Sequence, residues 1–268
     1  MNGLGNDFVI VQGADDFQPT REQVQAWGAR DGGIGFDQLI AISSDGGSTP
    51  LVRFWNNDGE VVGACGNGSR CVGWLLMQAN GKDSAAFHTA ERALSATEAG
   101  HKRVSVDMGE PRLRWDQIPL AEDMDTRNIE LQVGPIDNPH LHTPGAVSMG
   151  NPHVVFFVGH EPSDAEVAGD GSLIEHHPLF PEAVNVGFAH ILSEDRIRLR
   201  VWERGAGLTK ACGTGACAAL VAAHRRGLSA RKATLILDGG ALEIAWRNAD
   251  NHVTMTGDVA VEFAGILP

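Results

Sequence analysis

Apolar and polar positions alternate in short runs punctuated by glycine, and only a few segments carry a helical period. Phe8-Val9-Ile10-Val11, Leu39-Ile40-Ala41-Ile42 and Leu51–Trp55 are strand-like runs bounded by turn residues. Thr20-x-x-Gln23 forms a capping box, opening a helix expected to end near Gly32-Gly33. From Gly66 the period changes: Val72, Leu75 and Leu76 stand at i, i+3 and i+4, and Gly81 supplies a stop. Three strand-like runs follow, the last over Val104–Met108. The segment Glu110 to Asn128 holds Pro111, Pro119 and several charges, and reads as a crossing.

Beyond the crossing the pattern repeats. Gly150-Asn151-Pro152-His153 introduces the run Val154–Val158 as Gly5-Asn6-Asp7-Phe8 introduces the first. Ser172-x-x-Glu175 reads as a second capping box, and Gly187-Phe188 stands 152 positions after Gly35-Phe36. A second helix carries Leu220 and Ala223 and stops at Gly227; strands follow near Ala233–Leu237, Leu242–Trp246 and His252–Thr256. The closest match sets Arg53, Trp55, Ala64, Cys65, Gly66 and Gly68 on Arg200, Trp202, Ala211, Cys212, Gly213 and Gly215, 147 positions later without a gap. Landmarks in one order predict an internal duplication and two similar α+β lobes, residues 1–110 and 111–257. The end of the chain, 258–268, has no counterpart and is expected to return as a strand completing the first lobe's sheet.

Composition narrows the function. The 268 residues are 43% hydrophobic with a formal net charge of −13. That charge supplies no basic field for nucleic acid and none for an anionic membrane surface. No run of 18 apolar residues is present, so no membrane-spanning helix is expected. The chain does not open on a charged segment followed by an apolar run, so no signal peptide is expected. Four cysteines in two tight clusters, Cys65 with Cys71 and Cys212 with Cys217, fit a reducing cytoplasm better than a disulfide framework.

The duplicated Cys-Gly-x-Gly turns carry the chemistry. Glycine permits close backbone approach, and the first N–H groups of a helix lack intrahelical partners. Those groups and the helix dipole favour a bound carboxylate. The same field is expected to lower the pKa of the adjacent thiol from about 8.5. Two such turns could face each other across one small molecule. One thiolate would remove an α-hydrogen and the other thiol would protonate the opposite face, giving inversion. Zinc ligation, a Cys65–Cys212 disulfide and inert burial are the rival readings. The spacing suits no usual zinc finger, and burial is the expected fate of Cys71 and Cys217 inside apolar helix stretches.

The motifs GLGNDF (Gly3–Phe8), GIGFDQ (Gly33–Gln38), CGNGSRC (Cys65–Cys71), GNPH (Gly150–His153), NVGF (Asn185–Phe188) and ERGAG…ACGTGAC (Glu203–Cys217) resemble the diaminopimelate epimerase family, in the family's order and over essentially the whole chain. The resemblance implies two pseudo-symmetric lobes, each a curved, mainly antiparallel sheet wrapped around a central helix. It implies a cofactor-independent, metal-free epimerase interconverting LL- and meso-diaminopimelate in lysine and peptidoglycan precursor biosynthesis. Cys65 and Cys212 would be the acid/bases. Gly66, Asn67, Gly213 and Thr214 would bind the reacting carboxylate, and Asn6, Gln38, Asn56, Asn151, Asn185, Glu203 and Arg204 would contact substrate. His153 and Glu203 would tune the thiols, and a homodimer is implied with Phe263 where many members carry an interfacial Tyr. The copies differ at Asn56-Asn57 against Glu203-Arg204. That asymmetry suits a substrate whose second amino-acid end is held but not inverted. The chain departs from the family's pattern at Asn2 (usually His, preceded by more strand), Ala64 (usually Gln) and Leu208 (usually Glu). The alternatives are a racemase of another amino acid on this fold and a non-catalytic amino-acid-binding protein.

Overall fold

The computed structural model describes every residue except 14, 45–48, 64, 91 and 268, so Ala64 lies outside the described residues. Two compact units separate: Met1–Asp107 with Thr256–Pro268, and Met108–Met255.

The first unit contains β1 (Asn2–Gly3), β2 (Asn6–Gln12), α1 (Arg21–Gly28), β3 (Gln38–Ser43), β4 (Leu51–Asn56), β5 (Val61–Val62), α2 (Gly66–Asn80), β6 (Ser84–His88), β7 (Ala93–Glu98) and β8 (Arg103–Asp107). Its strands pair in the order β1-β2-β3-β4-β6-β7-β8, with β5 on β4. The pairs β2–β3 and β4–β6 are parallel, and the other registered pairs are antiparallel. Helix α2 touches β1, β2, β3, β6, β7 and β8. One helix can meet strands from both ends of a sheet only if the sheet curls around it.

Two faces of that sheet explain the unbroken apolar run of β3. Leu39 and Ala41 join Val24, Phe36 and Trp55 under α1. On the other face the Ile40 side chain reaches Gly68 at the start of α2. A strand covered on both faces loses the alternating pattern of a half-exposed one. Gly73 faces Ala96 of β7, where an added Cβ would lie 2.4 Å from the Ala96 methyl carbon. The burial of Val72, Leu76 and Met77 on this helix contributes about 1.5–3 kcal/mol per side chain.

The second unit adds β9 (Gln132–Val133), β10 (Leu141–His142), β11 (Gly145–Ser148), β12 (Pro152–Val158), α3 (Asp164–Glu175), β13 (Asn185–Ser193), β14 (Arg196–Glu203), β15 (Gly207–Thr209), α4 (Gly213–Arg225), β16 (Lys232–Leu237), β17 (Gly240–Trp246) and the start of β18 (Val253–Asp258), whose residues from Thr256 onward belong to the first unit. Its path runs β18-β17-β16-β14-β13-β12-β11, with β15 on β14. Again two pairs, β12–β13 and β14–β16, are parallel. Helix α4 touches β11, β12, β13, β14, β16 and β17. The topology of the first unit is thus repeated. On the opposite face α3 covers β13 and β14, over a core that includes Phe156, Val186 and Phe188. The fold is α+β, with a curved, mainly antiparallel sheet around a central helix in each unit.

Four sequence expectations change. Helix α1 ends at Gly28, not near Gly32-Gly33, because the chain reverses: Ile34 N–H and Gly35 N–H both donate to the Trp27 carbonyl, at 2.8 and 3.1 Å. The second capping box is Ser163 with Glu166, each side chain meeting the other's backbone N–H. Ser172 instead lies inside α3, its hydroxyl on the Gly169 carbonyl, and Glu175 closes that helix. Gly187-Phe188 is not the copy of Gly35-Phe36: Leu39 lies opposite Trp55 and Val186 opposite Trp202, so the 147-residue offset persists through β3 and β13. Finally, β18 ends at Asp258. Beyond it, among the described residues, Val259 N–H donates to the Lys102 carbonyl at 2.9 Å and Ala260 forms an isolated bridge to Asn2 with N···O distances of 2.8 and 2.9 Å.

Candidate active site

Each unit builds its site at the N-terminus of its central helix. Cys65 is the N-cap of α2, in extended conformation at φ −135° and ψ 119°, and Gly68 N–H donates to its Sγ at 3.5 Å. Cys212 caps α4 at φ −119° and ψ 107°, with Gly215 N–H 3.4 Å from Sγ. The sulfur takes the place that a Ser or Asp oxygen usually fills at a helix start. The second glycine of each motif is required by space. A Cβ at Gly215 would stand 3.1 Å from Cys212 Sγ, and one at Gly68 would stand 2.8 Å from Ile40 Cδ1. Gly66-Asn67 and Gly213-Thr214 occupy the first helical positions, whose N–H groups no intrahelical carbonyl can satisfy.

In the first unit these elements bring four of the expected residues into two pairs. Asn67 Nδ2 donates to Asn6 Oδ1 at 2.8 Å, and Gln38 Nε2 donates to Asn56 Oδ1 at 2.9 Å. The second pair follows from register, since Gln38 and Asn56 are direct partners across β3 and β4. The first is braced by the fully buried Arg70, whose Nη1 donates to Asn67 Oδ1 at 3.1 Å. Gln38 Oε1 is buried without a hydrogen-bond partner among the described residues.

In the second unit a hydrogen-bond chain leads to the sulfur. His153 Nε2–H donates to Asn151 Oδ1 at 3.0 Å, and Asn151 Nδ2 donates to Thr214 Oγ1 at 3.4 Å. Thr214 Oγ1 is 3.6 Å from Cys212 Sγ and, having accepted from Asn151, is free to donate. Burial, followed by the Arg204 charge, depresses the His153 imidazole to about 3, so it is neutral near pH 7 and its Nε2 carries the proton in this arrangement. On the other side Glu203 hydrogen-bonds Cys212 and accepts from the Thr209 hydroxyl at 2.5 Å.

The thiol's acidity departs from expectation. Burial pushes Cys212 well above the usual thiol range, the Glu203 charge adds to that, and the Thr214 and Gly215 donors oppose it without prevailing. Burial also raises Glu203. A helix N-terminus favours a thiolate where water is present; here desolvation is the larger effect. Cys71 is buried, its thiol pushed up to about 12 by desolvation, and Cys217 is fully buried on α4.

Two expected substrate contacts also bond backbone groups. Asn185 Nδ2 donates to the Pro152 carbonyl at 2.8 Å, and its Oδ1 accepts Arg204 N–H at 3.0 Å. The Arg204 guanidinium donates to the Glu182 carbonyl at 2.8 Å. Leu208 lies opposite Trp202 and packs against the α3 core, an apolar role at the position of the family's usual Glu. Phe263 is 68% exposed in the C-terminal segment. Thr209 was not anticipated. Its strand, β15, has three residues and is defined only by pairing to β14, so no periodic signal marks it.

This two-unit fold defines a structural class that includes two proteins of low sequence identity. One is a hydroxyproline epimerase from Agrobacterium vitis, with TM-score 0.64 and 15% identity over 96% of this chain and 86% of that one. The other is a phenazine biosynthesis protein of the PhzF family from Enterococcus faecalis, with TM-score 0.63 and 14% identity over 95% and 89%. Residues 1–114 and 145–262 match the diaminopimelate epimerase family model. Proteins named diaminopimelate epimerase from Caulobacter sp. (strain K31) and Phenylobacterium zucineum (strain HLK1) are 62% and 61% identical, each over all of this chain and 96% of its own length. The chain belongs to the diaminopimelate epimerase family.

Proposed function

We infer that this protein interconverts LL- and meso-diaminopimelate by moving one proton at an α-carbon, supplying a precursor for lysine and peptidoglycan. The observation that carries the mechanism is the repeated N-cap: each unit sets one cysteine sulfur on the N–H of the second glycine of its motif. Cys65 and Cys212 serve as base and acid, exchanging roles with the direction of reaction. Cys212 rests as a neutral thiol and so holds a proton to deliver. When it acts as base instead, the Gly215 N–H and the Thr214 hydroxyl stabilise the thiolate.

Gly66, Asn67, Gly213 and Thr214 present first-turn N–H groups to the reacting carboxylate, where charge grows as the α-proton leaves. The orphaned Gln38 Oε1 and the Asn56 and Glu203 side chains are acceptors suited to ammonium hydrogens. Arg204 offers a planar fork for the distal carboxylate, and Asn6, Asn151 and Asn185 are the further substrate contacts. His153 acts as a neutral donor that orients Asn151 and, through it, the Thr214 hydroxyl. The scheme draws on protein groups alone. The protein works as a cytoplasmic homodimer in which Phe263 is an interfacial residue.

The test is conversion of LL- to meso-diaminopimelate under reducing conditions, alongside a panel of other amino acids. Cys65→Ser and Cys212→Ser each abolish conversion while retaining binding. Turnover of another amino acid with diaminopimelate untouched would move the substrate assignment. Turnover unaffected by either substitution would remove the two-thiol mechanism.

A further inference from the structure

Glu175 is 6% exposed at the last position of α3, and its carboxylate is divided between two donors. Oε2 accepts the Trp202 indole N–H and Oε1 accepts the Gly205 backbone N–H, each at 2.7 Å. Trp202 and Gly205 bracket Glu203 and Arg204. The other turn donors are committed as well: Arg204 N–H to Asn185 and Ala206 N–H to the Glu203 carbonyl, both at 3.0 Å. The indole itself is pressed against α3, since a Cβ at Gly171 would lie 2.6 Å from Trp202 Cβ and Cγ.

The duplication shows that this anchor is specific to one unit. Trp55 and Trp202 are equivalents, but the residue 147 positions before Glu175 is Gly28, which ends α1. A Cβ there would lie 3.2 Å from the Asn57 side chain, and Asn57 is the counterpart of Arg204. The anchored copy is therefore the copy whose turn carries Glu203-Arg204. Shared backbone support would not need a buried carboxylate in one copy and glycine in the other.

We propose that Glu175 is a positioning residue for substrate recognition: by holding Trp202 and Gly205 at once, it fixes the turn that presents Arg204 to the non-reacting end of the substrate. This rests on the epimerase reading. Glu203 is separately tied to Thr209 and Cys212, so loss of Glu175 acts on binding more than on proton transfer. A carboxylate is required because it accepts with both oxygens. Glutamine at this position turns one donor against another.

The test is steady-state kinetics of Glu175→Gln with diaminopimelate, beside its melting temperature. KM rises about tenfold, as expected for one charge-assisted hydrogen bond lost, and kcat falls less than threefold. In Trp202→Phe the indole donor is gone, so the single amide oxygen introduced by Glu175→Gln can serve Gly205 alone. Adding Glu175→Gln to Trp202→Phe therefore changes KM less than about twofold, although melting temperature falls further. If Glu175→Gln does not accumulate as folded protein, Glu175→Asp is measured in the same way. The proposal is overturned by a folded variant with unchanged KM, or by KM increases that multiply in the double variant. A wild-type protein inert toward diaminopimelate would overturn the epimerase reading itself.

Discussion

Glu203 and Cys212 share a hydrogen bond, and burial favours the protonated form of both. The Glu203 charge contributes to the raised pKa of the thiol, so removing that charge lowers it. Glu203→Gln, placed in a Cys65→Ser background, is expected to bring the thiolate ultraviolet absorbance of Cys212 in at lower pH. A titration that stays in place or moves to higher pH would show that Glu203 does not hold the Cys212 thiol up.

His153 gives a stability signature. Its folded value is depressed to about 3 from an ordinary 6.5, so its contribution is fully present above pH 6.5 and is lost as pH falls toward 3. Unfolding at pH 5 therefore takes up about one proton at this site. His153→Asn removes that proton from the pH dependence of the melting temperature between 6.5 and 3. An unchanged slope would mean that the imidazole is already protonated in the folded protein.

The central-helix cysteines that do not cap are expected to be silent in catalysis. Cys71→Ala and Cys217→Ala leave kcat within about twofold of wild type and cost about 1 kcal/mol of stability each. Cys71, with its thiol pushed up to about 12, resists alkylation at about pH 8. Rapid labelling of Cys71 in folded protein would contradict its burial.

Gly68→Ala tests the need for a bare backbone at the N-cap. The added Cβ meets Ile40 Cδ1 at 2.8 Å and Phe54 Cε1 at 3.2 Å. Strain of about 1–3 kcal/mol is expected in chemical denaturation. Activity falls further than stability, because the displaced helix start carries the Cys65 bond. Wild-type kcat/KM in this variant would show that the helix start tolerates the shift.

The elements most legible in the sequence are those whose signal is local. Thr20 and Gln23 mark a helix start by reciprocal bonds three residues apart, and Gly81 marks the end of α2 through its left-handed conformation. Cys65 and Cys212 are legible because the turn is written twice. Ser172 and Glu175 satisfy the same capping spacing as Ser163 and Glu166, and only tertiary contact decides between them. Glu175 is drawn to Trp202 and Gly205, residues 27 and 30 positions away. The raised Cys212 thiol was hidden for a related reason: helix polarity is local, whereas desolvation depends on everything packed around the sulfur. The Asn185 amide also bonds the Pro152 carbonyl and the Arg204 N–H, links to backbone groups that no pattern along the chain reveals.

The most direct measurement is the first-turnover distribution of solvent deuterium when LL-diaminopimelate is epimerised in heavy water. With one thiol removing the hydrogen and a different thiol supplying its replacement, newly formed meso product carries deuterium at the inverted α-carbon while unreacted LL substrate stays unlabelled. Product that retains the substrate's own hydrogen, or deuterium entering product without dependence on both Cys65 and Cys212, would contradict the two-thiol mechanism.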